Sequence, residues 1–151
     1  MKQLMWAVAA LMLGTGLAMA DAIKPDDVVF ADGAVTKPLT GQSGNADAGS
    51  KAFVNRKQGN CLACHANSDL AKEQFHGEVG PTLDGVADRW NEAELRGIVI
   101  NSKNTYEGTI MPGFYVAEEF PRTAEKYKGK TILTAQLVED VVAYLKTLKE
   151  Q

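Results

Sequence analysis

The stretch QGNCLACHAN, residues 58–67, contains both cysteines of the 151-residue chain and one of its two histidines. These residues form the pattern C-x-x-C-H at Cys61, Cys64 and His65. Two cysteines at this spacing can form a disulfide, act as a redox dithiol, help to bind a metal ion or attach a cofactor covalently. The rest of the chain decides among these uses.

The N-terminus predicts export. One lysine precedes an apolar run, residues 4–17, and small residues stand three positions and one position before Asp21. This is the pattern of a secretory signal peptide, and the run is shorter than the roughly 20 apolar residues that a membrane anchor needs. We therefore predict that residues 1–20 are a signal peptide cleaved after Ala20.

The charge of the chain argues against nucleic acid as a partner. The sequence has 16 basic and 19 acidic residues, and one of the basic residues, Lys2, lies in the predicted signal peptide. Both signs are interspersed, whereas nucleic-acid-binding domains usually carry a basic stripe.

Two uses of the cysteine pair are disfavoured by the sequence. A structural zinc site needs four ligands, and the chain offers only Cys61, Cys64, His65 and His76, with the two histidines outside the usual spacing. A thioredoxin-like dithiol lies between a strand and a helix, but the segment before Cys61 has the pattern of a helix rather than a strand.

C-x-x-C-H is the attachment motif of c-type haem. We predict that Cys61 and Cys64 bind one haem covalently and that His65 is the proximal iron ligand. The second axial ligand is a methionine or histidine in most such proteins. Met111 is the one methionine outside the predicted signal peptide and lies in a Pro/Gly loop, so we favour it, with His76 as the alternative and otherwise a surface residue or partner contact.

Residues 21–45 predict an extended N-terminal arm because they are rich in Pro, Gly and Asp. We interpret this arm either as a solvated leader or as a strap over the domain or a partner, and it is our first candidate for a partner surface. The following residues, 46–151, form one predicted domain of helices and long loops.

Three helices are predicted in that domain. The first begins at an Asp47 cap and ends near Gln58 and Gly59. The second follows a capping box formed by Asn91 and Glu94. The third is capped by Thr134, and its apolar positions fall on one face. These positions are Leu137, Val141, Tyr144, Leu145 and Leu148.

The assembled pattern resembles a class I cytochrome c, which implies an all-α fold. In that family the first and last helices cross at small and aromatic residues, which correspond to Gly49, Phe53 and Tyr144 here. The family also places a proline carbonyl next to the proximal histidine, and GPTLDGV makes Pro81 the corresponding residue.

Several segments outside the haem motif resemble one branch of the class, the SoxX family of monohaem cytochromes. They are VVFADGAVTKPLTG, FHGEVGPTLDGVADR, TIMPGFY and YKGKTILTAQLVEDVVAYLKTL. The resemblance implies a periplasmic heterodimer with SoxA, in which thiosulfate is oxidatively coupled to a cysteine of the SoxYZ carrier protein. This reaction is that of an L-cysteine S-thiosulfotransferase, and the SoxX haem passes electrons to a small soluble cytochrome c.

The same resemblance implies that the reacting thiolate belongs to SoxA. Haem attachment would use both cysteines of this chain, so we predict an electron-transfer subunit without a catalytic nucleophile. Two rivals remain, a free-standing cytochrome c shuttle and a thiol-disulfide oxidoreductase that uses Cys61 and Cys64.

Overall fold

The computed structural model describes residues 21–117 and 123–150. Within these ranges it contains four α-helices: α1 (Ala46–Val54), α2 (Val86–Arg89), α3 (Glu92–Asn101) and α4 (Ala135–Leu145). Single turns of 3-10 helix lie at Pro25–Asp27, Cys61–Ala63, Ser68–Leu70, Ser102–Asn104 and Glu125–Tyr127. No strand occurs in the described ranges, only an isolated antiparallel bridge between Ala31 and Ala34. The all-α prediction is confirmed, whereas the predicted signal peptide lies outside the described residues.

The described helices are short. None of them has the length and apolar character needed to cross a membrane.

Helices α1 and α4 cross in close contact. A Cβ atom built on Gly49 of α1 would lie 2.0 Å from the carbonyl oxygen of Asp140 in α4, so only glycine allows this approach. Beside this point the rings of Phe53 and Tyr144 pack edge to face, with centroids 5.6 Å apart. The crossing is therefore formed by the three residues that the cytochrome c resemblance predicts.

The predicted caps are correct for two of the helices. At the start of α3 the Asn91 side chain accepts from the Glu94 amide, and the Glu94 side chain accepts from the Asn91 amide. At the start of α4 the Thr134 hydroxyl accepts from the amide of Leu137. Both helices therefore begin where local side-chain bonds satisfy their first amides.

The predicted ends of α1 are wrong. The helix is capped by Asn45 instead of Asp47, because the Asn45 side chain accepts from the Ala48 amide. It stops at Val54 instead of near Gln58, and the chain then turns back so that the Gly59 amide donates to the carbonyl of Ala52. A further difference is α2, one turn of helix that is not among the three predicted helices.

The apolar face of α4 forms much of the core. Of the predicted positions, Val141, Tyr144 and Leu145 are buried in α4 and Leu137 is half-buried. Leu148 is buried as well, but it lies three residues beyond the end of the helix. Burying a side chain of this size contributes roughly 1.5 to 3 kcal/mol. The helix therefore anchors the domain, and α1 and α3 pack against it.

The N-terminal arm packs on its own domain. Val35 is 2% exposed and Leu39 is fully buried. The Val35 amide donates to the carbonyl of Ala93 in α3 at 2.9 Å, and the Tyr115 hydroxyl donates to the carbonyl of Ile23 at 2.8 Å. Of the two predicted interpretations, solvated leader or strap, the structure supports a strap over the domain.

A buried ion pair connects this strap to two helices. Arg96 of α3 is 2% exposed, and its Nε donates to the Glu139 carboxylate of α4 at 2.9 Å. The same guanidinium donates to the carbonyl of Val35, while the Glu139 carboxylate accepts from the Leu39 amide. Each charge is therefore bonded within the protein, which a buried ion pair requires if it is not to destabilise the fold.

Candidate functional site

The cysteines and His65 lie in one tight turn after α1. Cys61 begins the 3-10 turn, and its carbonyl accepts from the amides of both Cys64 and His65 at 3.0 Å. Gly59 makes room for the turn, since a Cβ there would lie 3.0 Å from the Cys61 sulfur. The preceding Asn60 has a left-handed backbone with φ of 49°.

The two thiols are free and differ in environment. Cys64 is exposed, whereas burial raises the pKa of the partly buried Cys61 thiol to about 12. Redox dithiols depend on a lowered cysteine pKa, because the thiolate is the attacking species. Burial therefore disfavours Cys61 as the attacking thiolate of a thiol-disulfide oxidoreductase.

The His65 ring is fixed by a carbonyl and a glycine. Its Nδ1 lies 2.7 Å from the carbonyl oxygen of Pro81, the bond that the cytochrome c resemblance predicts. A carbonyl only accepts, so Nδ1 carries the proton and the lone pair of the neutral ring is on Nε2. A Cβ on Gly80 would lie 2.4 Å from the His65 Cε1, so the chain passes directly against the ring. This arrangement fixes the orientation of the ring and leaves the Nε2 lone pair available to bind a metal ion.

A long loop runs back along the motif. The amides of Gly77, Gly80 and Leu83 donate to the carbonyls of Leu62, Cys64 and Ala66, at 2.8 to 3.0 Å. The Asp84 carboxylate closes the loop by accepting from the amide and the hydroxyl of Ser68, both at 2.8 Å. Backbone hydrogen bonds therefore hold most of this loop against the haem-attachment motif.

His76 has both ring nitrogens in hydrogen bonds to the loop. Its Nδ1 accepts from the Asn67 amide at 3.3 Å, and its Nε2 lies 3.1 Å from the carbonyl of Leu70. The residue is half-buried. These contacts fix the ring within the loop and leave neither nitrogen available as an axial ligand without a rearrangement.

Met111 lies on a separate loop that is attached to the end of α3. Its carbonyl accepts from the Ser102 hydroxyl at 3.0 Å and from the Lys103 ammonium at 2.7 Å. Further along, the amides of Phe114 and Tyr115 donate to carbonyls in the last turn of α3. The Met111 side chain is partly buried against the core.

The residues present fit a haem. Beside Gly80 and Met111, Val79 and Ile110 leave 65% and 81% of their side chains exposed. Exposed apolar groups next to a prepared imidazole nitrogen and a thioether are the surroundings that a porphyrin requires. Two free thiols in the attachment turn complete the set of groups.

The zinc alternative lacks a cluster of ligands. In residues 21–117 and 123–150, no three His, Cys, Asp or Glu side chains come together in a group that could hold a metal ion. His76, the fourth ligand of that alternative, is bonded to the Asn67 amide and near the Leu70 carbonyl.

A buried polar network joins the motif to α4 and was not predicted. Asn67 is 1% exposed, and its side-chain amide donates to the Tyr144 hydroxyl at 2.9 Å. That hydroxyl in turn donates to the Asp69 carboxylate at 2.8 Å. Burial, assisted by Asp69, raises the pKa of Tyr144. The sequence signal was an asparagine two residues after the motif histidine, which alone does not specify a partner 77 residues away.

Comparison with known families identifies the fold. A sequence model of the family described as cytochrome c matches residues 46–149. The chain belongs to the cytochrome c family. It therefore carries covalently attached haem c, and the free Cys61 and Cys64 are consistent with the family's attachment motif.

A solved structure extends this comparison beyond residues 46–149. This cytochrome c is 46% identical to a chain in the crystal structure of SoxXA from P. pantotrophus, with a TM-score of 0.80. The similarity covers 85% of this chain and 99% of that chain. No curated protein matches the sequence.

Proposed function

We propose that this cytochrome c is the monohaem electron-transfer subunit of a periplasmic SoxAX complex. The observation that supports this proposal is the 46% identity to a chain of SoxXA over 99% of that chain's length. The matched share of this chain, 85%, is larger than the part matched by the general cytochrome c family, residues 46–149. The partner would be a SoxA-type cytochrome in a heterodimer.

Within that complex the residues of this chain have separate roles. Cys61 and Cys64 would hold the haem by thioether bonds, and His65 and Met111 would be the axial ligands of the iron. When bound, the haem accepts and releases one electron by cycling between ferric and ferrous iron. The Pro81 carbonyl keeps the Nδ1 proton of His65 in place and thereby fixes which nitrogen faces the metal.

In this proposal the complex oxidatively couples thiosulfate to a cysteine of the SoxYZ carrier protein. It is therefore an L-cysteine S-thiosulfotransferase. We propose that this chain contributes electron transfer and no nucleophile, because its two cysteines are used for attachment. The electrons would leave to a small soluble cytochrome c.

Coexpression with the SoxA of the same organism tests the proposal. We expect a one-to-one heterodimer by light scattering after size-exclusion chromatography, and we expect its haems to be reduced when thiosulfate and SoxYZ are added. The Cys61→Ala/Cys64→Ala variant is the control, because it cannot attach haem and should not receive electrons.

The free-standing shuttle makes the opposite prediction. In that case the protein would elute as a monomer at micromolar concentrations in the presence of SoxA. It would still be reduced by a chemical donor. Chemical reduction therefore reports on haem attachment, and the elution position reports on binding to SoxA.

A further inference from the structure

Both polar atoms of the Met111 main chain are bonded to side chains. The carbonyl accepts from the Ser102 hydroxyl at 3.0 Å and from the Lys103 ammonium at 2.7 Å. The amide donates to the Thr109 hydroxyl at 3.2 Å. Met111 lies in no helix or sheet, so the polar atoms of its backbone are held by these three side chains.

The two donors to the carbonyl differ in burial. Ser102 is fully buried and begins the 3-10 turn Ser102–Asn104 at the end of α3. Water does not compete for its hydroxyl, and the turn fixes its position. Lys103 is exposed, so its bond is weakened by solvent although its geometry is good.

We propose that Ser102 is a positioning residue for Met111, with Lys103 as a weaker second donor. The inference rests on the proposed function, in which Met111 binds the haem iron. The hydrogen bonds hold the Met111 loop in the position in which the thioether would bind the iron. They thereby reduce the fraction of molecules in which the thioether is dissociated, here called the open population. Removing Ser102's hydroxyl leaves a carbonyl with one fewer donor and increases that fraction.

Imidazole titration of the oxidised holoprotein measures this fraction. Added imidazole binds the iron only when the thioether is off, so its apparent affinity is proportional to the open population. We expect about tenfold tighter apparent binding for Ser102→Ala and about twofold for Lys103→Met, in proportion to the burial of the two hydrogen bonds. Lys103→Arg should restore the original affinity, and Lys37→Met, at an exposed lysine of the strap, should leave it unchanged.

The Met111→Ala background separates positioning from general loosening. If Ser102 acts through Met111, adding Ser102→Ala to Met111→Ala changes the imidazole affinity no further. An equal tightening in both backgrounds would overturn the inference, because the effect would then be on the pocket as a whole. Wild-type affinity in Ser102→Ala would overturn it as well.

One additional result separates this inference from the proposed function. The sulfur-to-iron charge-transfer band of the oxidised protein should disappear in Met111→Ala. Persistence of the band would show that Met111 is not the ligand, which overturns the axial assignment and the positioning role together. Loss of the band with no Ser102 effect overturns the positioning role alone.

Discussion

The two loops that carry the proposed iron ligands are held in different ways. In the His65 loop, residues 61–85, backbone amides bond to backbone carbonyls and glycines allow close approach. In the Met111 loop, residues 102–117, the ligand's own backbone is bonded to the side chains of Ser102, Lys103 and Thr109. One loop is therefore fixed largely by the path of the chain and the other by individual side chains.

This difference predicts different responses to substitution. Side-chain changes in the His65 loop must create a clash or leave a buried group unbonded to have a large effect. In the Met111 loop, we expect the loss of one hydroxyl to shift the position of the residue. With a rigid His65 loop and a more easily displaced Met111 loop, an electron-transfer protein can retain its haem while the proposed Met111 ligand dissociates.

The largest effect is expected for Gly80→Ala. The new methyl group would meet the His65 ring at 2.4 Å, and the ring cannot move without losing its bond to the Pro81 carbonyl. We expect a loss of about 3 kcal/mol in the free energy of unfolding and little protein with covalent haem. Haem staining of the denatured protein and urea unfolding of what remains measure both effects.

Gly108→Ala is the matched control for this clash. Gly108 has open space around it but a φ of 72°, so alanine there costs only backbone strain, about 1 to 2 kcal/mol. A full yield of holoprotein from Gly80→Ala would contradict the close packing of the His65 loop.

Met111→Ala should have the next largest effect. The protein should keep covalent haem, because the attachment turn is untouched, but it should lose the charge-transfer band and have a lower reduction potential. His76→Ala should retain the band, since both of its ring nitrogens are engaged within the His65 loop. Visible spectra of the two oxidised variants decide between the ligands, and loss of the band only in His76→Ala would reverse the assignment.

The features that the sequence could predict depend on short spacings. The thiols and imidazole of Cys61, Cys64 and His65 are close because they lie within one turn. The capping box of Asn91 and Glu94 is likewise a local pattern, and both bonds are present. Such features need no knowledge of the rest of the chain.

The predictions that failed depend on distant contacts. Asn45 and Asp47 are both good cap residues, but the Asn45 amide is held by the Asp140 carboxylate of α4 at 2.8 Å, which selects Asn45. Arg96 has a local ion pair with Glu92, four residues earlier on the same face of α3, but its buried partner Glu139 is 43 residues away. Local patterns do not contain this information.

Tyr144→Phe tests the connection between the His65 loop and α4. The change removes the hydroxyl that accepts from the buried Asn67 amide and donates to Asp69. Leaving Asn67 with an unsatisfied donor should lower the free energy of unfolding by about 1 to 3 kcal/mol. Urea unfolding measures this loss, with Tyr127→Phe at a partly exposed position as the control that should be neutral. Equal stability of the two variants would show that the network contributes nothing.

The smallest effect is expected at Asp84, which closes the His65 loop. Hydrogen bonds from the amide and hydroxyl of Ser68 lower the pKa of this carboxylate below its ordinary value of 3.8. The folded state therefore binds the proton more weakly than the unfolded state does. The ionised carboxylate of Asp84 contributes its full stabilisation above pH 3.8, and this contribution is lost as the pH falls through the lower pKa of the folded state.

Asp84 is exposed, so we expect Asp84→Asn to lower stability by less than about 1 kcal/mol at pH 7. The difference from wild type should be smaller at about pH 3 than at pH 7, because below 3.8 the unfolded wild-type chain binds a proton that the folded carboxylate binds more weakly. Glu107→Gln removes an exposed charge from the Met111 loop and should show no such pH dependence. A difference for Asp84→Asn that is constant between the two pH values would mean that the Ser68 bonds do not depend on the charge of Asp84.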